Sequence, residues 1–265
     1  MCNAEQEALC NRPVGVFDSG VGGLTVAREI MRQLPNERIV YFGDTARVPY
    51  GNKSRETIIK FSRQIVRFLQ TQQVKAIVVA CNSASAYALE VLEKEVDVPI
   101  IGVIKSGARA AISTTKNRKI GVIATEATIS SGIYNRYIKE NDGNSTVLGK
   151  ACPLFVPLVE EGLWEDPVTD EIAKRYLTEL IDVGIDTLIL GCTHYPFAKK
   201  MISKVAGAEV AIFDGGNGTA REMKRRLEEA ELLSDSEDKG TVGFFNSRDT
   251  REELELCRFL FERGD

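Results

Sequence analysis

The sequence predicts an α/β protein of two similar domains with mostly parallel sheets, and three observations carry that prediction. Apolar runs of strand length alternate with helix-compatible segments along the whole 265-residue chain, the pattern of parallel strands joined by right-handed crossovers. Two of these runs, Ala76-Ile-Val-Val-Ala-Cys81-Asn-Ser-Ala-Ser85 and Asp186-Thr-Leu-Ile-Leu-Gly-Cys192-Thr-His-Tyr-Pro196, each deliver a cysteine at the C-terminal end of a strand, followed by small polar residues. The C-terminal edge of a parallel strand is where open α/β folds hold their ligands. Features of the first half also recur in the second at a nearly constant offset: Gly121 answers Gly15, Pro157 answers Pro49 and Cys192 answers Cys81. Three matches at nearly one spacing indicate a duplicated α/β unit, with the active site expected in a cleft between the two copies across an approximate twofold axis.

Taken in order, Pro13-Val-Gly-Val-Phe17 reads as the first strand. The glycine-rich turn Asp18-Ser-Gly20-Val-Gly22-Gly23 follows, and Leu24 to Met31 resumes a helical pattern. Backbone N–H groups at such a turn favour an anion, but the spacing matches neither Gly-x-Gly-x-x-Gly nor a phosphate-binding loop. A ligand carboxylate fits as well as a nucleotide. Arg38 to Phe42 is a second strand leading into the loop Gly43-Asp-Thr-Ala-Arg-Val-Pro-Tyr-Gly51, punctuated by Pro49 and Gly51. Ser54 is placed to cap a helix over 55–71, whose residues Ile58, Ile59, Ile65, Phe68 and Leu69 form an apolar stripe.

The first cysteine strand precedes a helix over Ala84–Glu95 and a strand within Pro99–Ile104. The series restarts at Lys119-Ile-Gly-Val-Ile-Ala-Thr125-Glu-Ala-Thr128, a strand running into small polar residues and a helix. Leu154-Phe-Val-Pro157-Leu-Val-Glu160-Glu161-Gly162 holds the place of the Pro49 loop. After the second cysteine strand, Ala211–Asp214 reads as a strand, Ala220–Leu233 as a charged helix, Gly240–Phe245 as a closing strand and Thr250–Arg263 as a last helix. The acidic run Glu228 to Asp238 reads as a solvated face. No low-complexity linker separates the halves.

Composition narrows the function. Hydrophobic residues make up 43% and charged residues 27%, with a net charge of −4 and basic residues scattered rather than striped. That argues against nucleic acid as the primary partner. No apolar run approaches the roughly 20 residues of a membrane-spanning helix. Met1 to Arg12 has neither the basic start nor the apolar block of a secretion signal, so a cytoplasmic location is expected. Six cysteines in such a chain, none in a Cys-x-x-Cys pair, with His194 as the single histidine, form neither a disulfide framework nor a zinc site. Cys152 and Cys257 suit packing, and Cys2 and Cys10 fall in an expected frayed tail.

Two thiols on opposite faces of a small substrate suit inversion at a carbon acid. One acts as thiolate base and the other as thiol acid. An ordinary thiol, with a pKa of about 8.5, is only slightly ionised at neutral pH. The amides after Cys81 and after Cys192, the carboxylates Asp18 and Glu160, and His194 beside the second cysteine are the groups placed to help. The competing readings are a racemase for aspartate or another acidic amino acid, and a non-catalytic small-anion-binding protein.

The motifs Gly15-Val-Phe-Asp-Ser-Gly-Val-Gly-Gly-Leu-Thr25, Tyr41-Phe-Gly-Asp-Thr-Ala-Arg-Val-Pro-Tyr-Gly51, Ala80-Cys-Asn-Ser-Ala-Ser85, Val156-Pro-Leu-Val-Glu160 and Gly191-Cys-Thr-His-Tyr-Pro196 together closely resemble the glutamate racemase family. The resemblance implies an isomerase that interconverts L- and D-glutamate with no cofactor, neither pyridoxal phosphate nor metal, and supplies D-glutamate for peptidoglycan, hence for cell wall biogenesis and cell shape. It implies a homodimer, and a division into residues 1–103 plus 213–265 and residues 104–212. It implies that Cys81 deprotonates D-glutamate and Cys192 L-glutamate, with Asp18 assisting Cys81, and Glu160 and His194 assisting Cys192. Asp18, Ser19, Pro49, Tyr50, Gly51, Asn82, Ser83, Thr125, Thr128, Thr193 and His194 are the implied substrate contacts. The family's usual residue at position 83 is threonine, whose hydroxyl Ser83 keeps.

Overall fold

The computed structural model describes residues 4–248 and 251–263. The chain divides into two compact units, the first made of residues up to Tyr50, Ser54–Val103 and the segment from Gly216 onward, the second of Gly51–Lys53 and Ile104–Gly215. In the first unit α1 (Ala4–Cys10) leads to β1 (Val14–Asp18), α2 (Leu24–Gln33), β2 (Ile39–Gly43), α3 (Arg55–Thr71), β3 (Ala76–Val79), α4 (Asn82–Tyr87), α5 (Leu89–Leu92) and β4 (Ile100–Gly102). The second unit carries α6 (Ile104–Thr114), β5 (Lys119–Ala124), α7 (Glu126–Ser130), α8 (Ile133–Asn141), β6 (Thr146–Ala151), α9 (Phe155–Glu160), α10 (Pro167–Asp182), β7 (Thr187–Gly191), α11 (Lys199–Ala206) and β8 (Ala211–Asp214). The chain then returns to the first unit as α12 (Gly216–Glu229), β9 (Val242–Asn246) and α13 (Arg251–Arg263).

Both sheets are parallel throughout, in the orders β4-β3-β1-β2-β9 and β6-β5-β7-β8. With β5 to β8 matched to β1 to β4, the two orders are the same, and β9 is an addition to the first sheet. Gly15 and Gly121 thus lie on equivalent central strands, and Cys81 and Cys192 directly follow the equivalent strands β3 and β7. All five positions of β1 and of β7 are buried, which is why these strands read as unbroken apolar runs. The junction after the second sheet falls between Gly215 and Gly216 rather than at 212–213, because Phe213 and Asp214 still pair with Ile189 and Leu190 of β7.

Side-chain caps start α3, α7 and α10. Ser54 caps α3 by accepting from the Thr57 amide at 3.2 Å, and Ile58, Ile59, Ile65 and Leu69 turn inward as the stripe requires. Phe68, on the same helix, is half-buried between the rings of Phe42 and Phe245, each 5.1 Å away. The expected helix over Ala84–Glu95 is interrupted at Ala88. There Gly102 of β4 presses in so closely that a Cβ on it would lie 2.7 Å from Ser85 Oγ and 2.9 Å from Leu89 Cδ2. The charged helix after β8 starts four residues earlier than expected, at Gly216.

The N-terminal expectation needs correcting. Ala4–Cys10 is a helix and Cys10 is buried, its thiol donating to the Glu231 carbonyl at 3.4 Å. Its own carbonyl accepts from Lys75 Nζ at 2.5 Å, and that ammonium also pairs with Glu37 at 2.6 Å, both side chains being nearly inaccessible. A short acidic stretch gives no signal that a buried ion pair elsewhere will hold it down. Cys2 lies outside the described residues.

Candidate active site

In an open parallel sheet the ligand crevice forms where the chain reverses its direction of travel across the strands. In the first unit the chain goes from β1 outward to β2, then returns to build β3 on the other side of β1. The ends of β1 and β3 flank that point, with Phe17 in register with Val79 and the Ala80 amide donating to the Phe17 carbonyl at 2.9 Å. Asp18 and Ser19 therefore sit beside Cys81 and Asn82 because of strand order alone.

The first-unit groups are closely held. Asp18 is fully buried, and its Oδ2 accepts from the Gly20 and Gly23 amides at 3.2 and 3.0 Å. One carboxylate oxygen thus fixes the glycine-rich turn, and Tyr41 braces the same turn by donating to the Gly20 carbonyl at 2.7 Å. Gly23 is required there: a Cβ would stand 2.5 Å from that of Asp18. Cys81 is the N-cap residue of α4, but its side chain makes no capping bond. Instead its thiol donates to Ser19 Oγ at 3.6 Å. With only six residues in α4, the dipole contribution to a Cys81 thiolate is modest. Asn82 and Ser83 are buried directly beyond it.

The loop after β2 presents Tyr50. The phenol is buried and donates to Asp44 Oδ2, while Arg47 Nε reaches the same carboxylate at 2.8 Å and the guanidinium lies 4.1 Å above the Phe61 ring. Burial, then the Asp44 charge, push the Tyr50 phenol well above its ordinary acidity range, so it remains a proton donor. Asp44 and Arg47 carried no expectation from sequence. Their signal lay inside the Gly43–Gly51 motif, but their partner Tyr50 becomes apparent only when the loop is folded. Pro49 follows a cis peptide bond from Val48.

The second unit repeats the plan with different chemistry. Its strand order reverses between β5 and β7 in the same way. There Thr125 caps α7, its hydroxyl accepting from the Thr128 amide at 3.4 Å and donating to Thr128 Oγ1 at 3.2 Å. Gly51 backs onto Thr125 so tightly that a Cβ on it would lie 2.5 Å from that of Thr125. Beyond β7, Cys192, Thr193 and His194 are all buried. No α-helix starts at Cys192, so no helix N-terminus stands behind the amides expected to help there. His194 instead precedes a short 3-10 turn over Tyr195–Ala198.

The help comes from side chains. His194 Nδ1 lies 3.8 Å from Cys192 Sγ, and His194 Nε2 lies 2.5 Å from Oε1 of Glu160, the last residue of α9. Burial alone pulls the imidazole pKa down. Hydrogen bonds and charge from Cys192 and Glu160 outweigh it and raise the value to about 10. The doubly protonated ring donates from both nitrogens, so a Cys192 thiolate would face a fixed positive charge. A carboxylate at the C-terminal end of a helix is poorly placed for that helix's dipole, and the imidazolium offsets the mismatch.

Thus Asp18, Ser19, Tyr50, Cys81, Asn82 and Ser83 gather in the first unit, and Gly51, Thr125, Thr128, Glu160, Cys192, Thr193 and His194 in the second. Cys152 and Cys257 are buried in the separate cores of the second and first units, as packing residues are. Among the described residues no group of three His, Cys, Asp or Glu side chains could hold a metal ion, and no helix is long and apolar enough to cross a membrane.

Known proteins match this chain over most of their length. The sequence profile of the Asp/Glu/Hydantoin racemase family matches residues 14–223. A glutamate racemase of Geobacter metallireducens is 48% identical over 89% of this chain and 87% of its own. Crystallised glutamate racemase isoform RacE1 from Bacillus anthracis is 43% identical, with a TM-score of 0.89 over 94% of this chain and 93% of that one. The glutamate racemase of Francisella tularensis, solved in complex with D-glutamate, is 40% identical, with a TM-score of 0.88 over 97% and 95% of the two chains. On fold, sequence and extent of match together, the chain belongs to the Asp/Glu/Hydantoin racemase family and, within it, to the glutamate racemases.

Proposed function

We propose that this isomerase interconverts L- and D-glutamate by a two-thiol acid–base mechanism, supplying D-glutamate for peptidoglycan. The observation that carries the reading is the pair of buried thiols following equivalent strands, β3 and β7, of two sheets with one strand order. Cys192 as thiolate takes the α-proton of L-glutamate: the Cα–H bond breaks and the proton passes to sulfur. Cys81 as thiol then gives its proton to the opposite face of Cα, which yields D-glutamate with the two thiols in exchanged protonation states. The D-to-L direction runs the same steps backward, and the cycle closes when the thiols exchange protons with solvent.

Different groups prepare the two thiols. His194, kept protonated with the help of Glu160, presents a positive charge to Cys192, whereas Asp18 holds the turn that places Ser19 Oγ on Cys81. Both thiols are almost inaccessible, and in such surroundings fixed hydrogen bonds act far more strongly on developing charge than they do in water. Ser19, Tyr50, Gly51, Asn82, Ser83, Thr125, Thr128 and Thr193 are the proposed substrate contacts, their hydroxyls and amides directed to the two carboxylates and the ammonium group, with Pro49 shaping the loop that presents Tyr50. The described cysteines are thiols rather than disulfides, which suits a reducing cytoplasm, and the working form is proposed to be a homodimer.

A cofactor-free assay with both enantiomers of glutamate and aspartate, read by circular dichroism, tests the function. Cys81→Ala and Cys192→Ala are each expected to abolish racemisation, whereas Cys257→Ala retains it. Full activity in either of the first two variants rejects the two-thiol scheme, and preference for aspartate rejects the substrate. Sedimentation of the active enzyme tests the homodimer.

A further inference from the structure

Glu160 must reach His194 from a different element, and the carboxylate bears on the thiol only while α9 keeps its position. The two ends of that segment are tied to the turn that follows His194. At the near end, the hydroxyl of Tyr195 donates to the Cys152 carbonyl at 2.9 Å, just after β6, and its ring packs on Phe155, the first residue of α9, at 5.1 Å and 76°. Phe155 is held from its other side by Tyr176, at 5.4 Å and 79°. Beyond the far end of α9, Trp164 packs on Phe197 at 5.8 Å. Glu160 sits between these two braces. Tyr195 is wholly buried, and its amide donates to the Cys192 carbonyl at 3.2 Å, so the nucleating turn carries both the thiol and the brace.

We propose that Tyr195 is a positioning residue for the racemisation: its bond to the Cys152 carbonyl and its packing on Phe155 fix α9 against the Cys192 turn and so hold Glu160 on His194. This rests on the reading of Cys192 as an acid–base group. The tyrosine acts on the thiol through Phe155, Glu160 and His194. Burial raises its phenol well above the ordinary range, so the hydroxyl stays a donor at every working pH. The alternative role for such a side chain is filling of the core, which phenylalanine would serve equally well. The two roles therefore separate at a single oxygen atom.

His194 is the only histidine of the chain, so its imidazole gives one titratable signal in a nitrogen-detected NMR spectrum. In Tyr195→Phe that midpoint is expected to fall by about one unit, as partial loss of an opposite charge implies, and kcat to fall about tenfold, with KM within about twofold of wild type. Glu160→Gln should lower the midpoint further, and adding Tyr195→Phe to it should change nothing more, because the tyrosine acts through the carboxylate. Phe155→Leu loosens the brace from its other side with every hydrogen bond left in place, and carries the same expectation should Tyr195→Phe fold poorly. An unmoved midpoint in folded Tyr195→Phe, or additive losses in the double variant, overturns the proposal. A wild type with no glutamate turnover would instead remove the functional reading, while the titration still decided whether Tyr195 holds Glu160.

Discussion

At the residue scale, His194 decides how the second thiol behaves. An imidazole this deeply buried would ordinarily be neutral. Here its partners hold the proton to about pH 10, so it does not switch in the physiological range. Because the folded value lies above the ordinary 6.5, the stabilisation that the charged ring gives the fold is complete below about 6.5 and is lost as pH climbs through the folded value. Glu160→Gln removes the opposing charge and should lower the midpoint by about one to two units. An NMR titration of the single imidazole reads this directly, and an unchanged midpoint would mean that Cys192 alone sustains the charge. Cys81, Cys192, Asp18, Glu160 and His194 could be singled out in the sequence because their motifs are short and local, and the fold sets Cys81 against Ser19 and His194 between Cys192 and Glu160. The dependence of Asp18 on two glycine amides and of Tyr50 on Asp44, and the packing of Tyr195 on Phe155, could not, since each is a hydrogen bond or contact made by folding.

At the scale of elements, turn geometry matters more than helix propensity. The central strands β1, β3 and β7 were readable because each is buried on both faces, and the α3 stripe because one face must be apolar, whereas the partly exposed edge strand β6 gave no such run. The break at Ala88 and the helix at Ala4–Cys10 were not readable, since both follow from what another part of the chain presses against them. The glycine-rich turn after β1 shows how narrow the tolerance is. Gly23→Ala would set its Cβ 2.5 Å from that of Asp18, 3.0 Å from Tyr41 Oη and 3.1 Å from the Ala80 Cβ. Two of these neighbours belong to strand ends and have no flexible tip to move aside. Overpacking of this kind costs about 1–3 kcal/mol, and here the displaced group is the carboxylate that holds the Ser19 turn. Urea unfolding should show the loss, and kcat should fall at least tenfold, about the 1.4 kcal/mol that such a factor represents. A variant of wild-type stability and rate would show that the turn can shift without consequence.

At the scale of the molecule, one α/β plan is used twice with different chemistry at the same strand end. The first copy offers Cys81 a hydroxyl from Ser19, and the second offers Cys192 an imidazolium backed by a carboxylate. Topological equivalence predicts two half-reactions, each using one thiol that carries at most one proton. The hydrogen taken from the substrate by one thiol is therefore never the hydrogen delivered to the product by the other. In heavy water the first D-glutamate formed from L-glutamate should carry solvent deuterium at Cα in essentially every molecule, while unreacted L-glutamate keeps mostly hydrogen at early times. Cys81→Ala removes the acid and leaves the base. That variant should form no D-glutamate, yet it should exchange the α-hydrogen of L-glutamate with solvent slowly, because Cys192 can return a deuteron to the face it came from. Cys192→Ala should show the mirror-image behaviour with D-glutamate. Mass spectrometry of the separated enantiomers measures both, and product that retains the original α-hydrogen would mean that one group serves both faces and that the duplicated thiol is not half of the reaction.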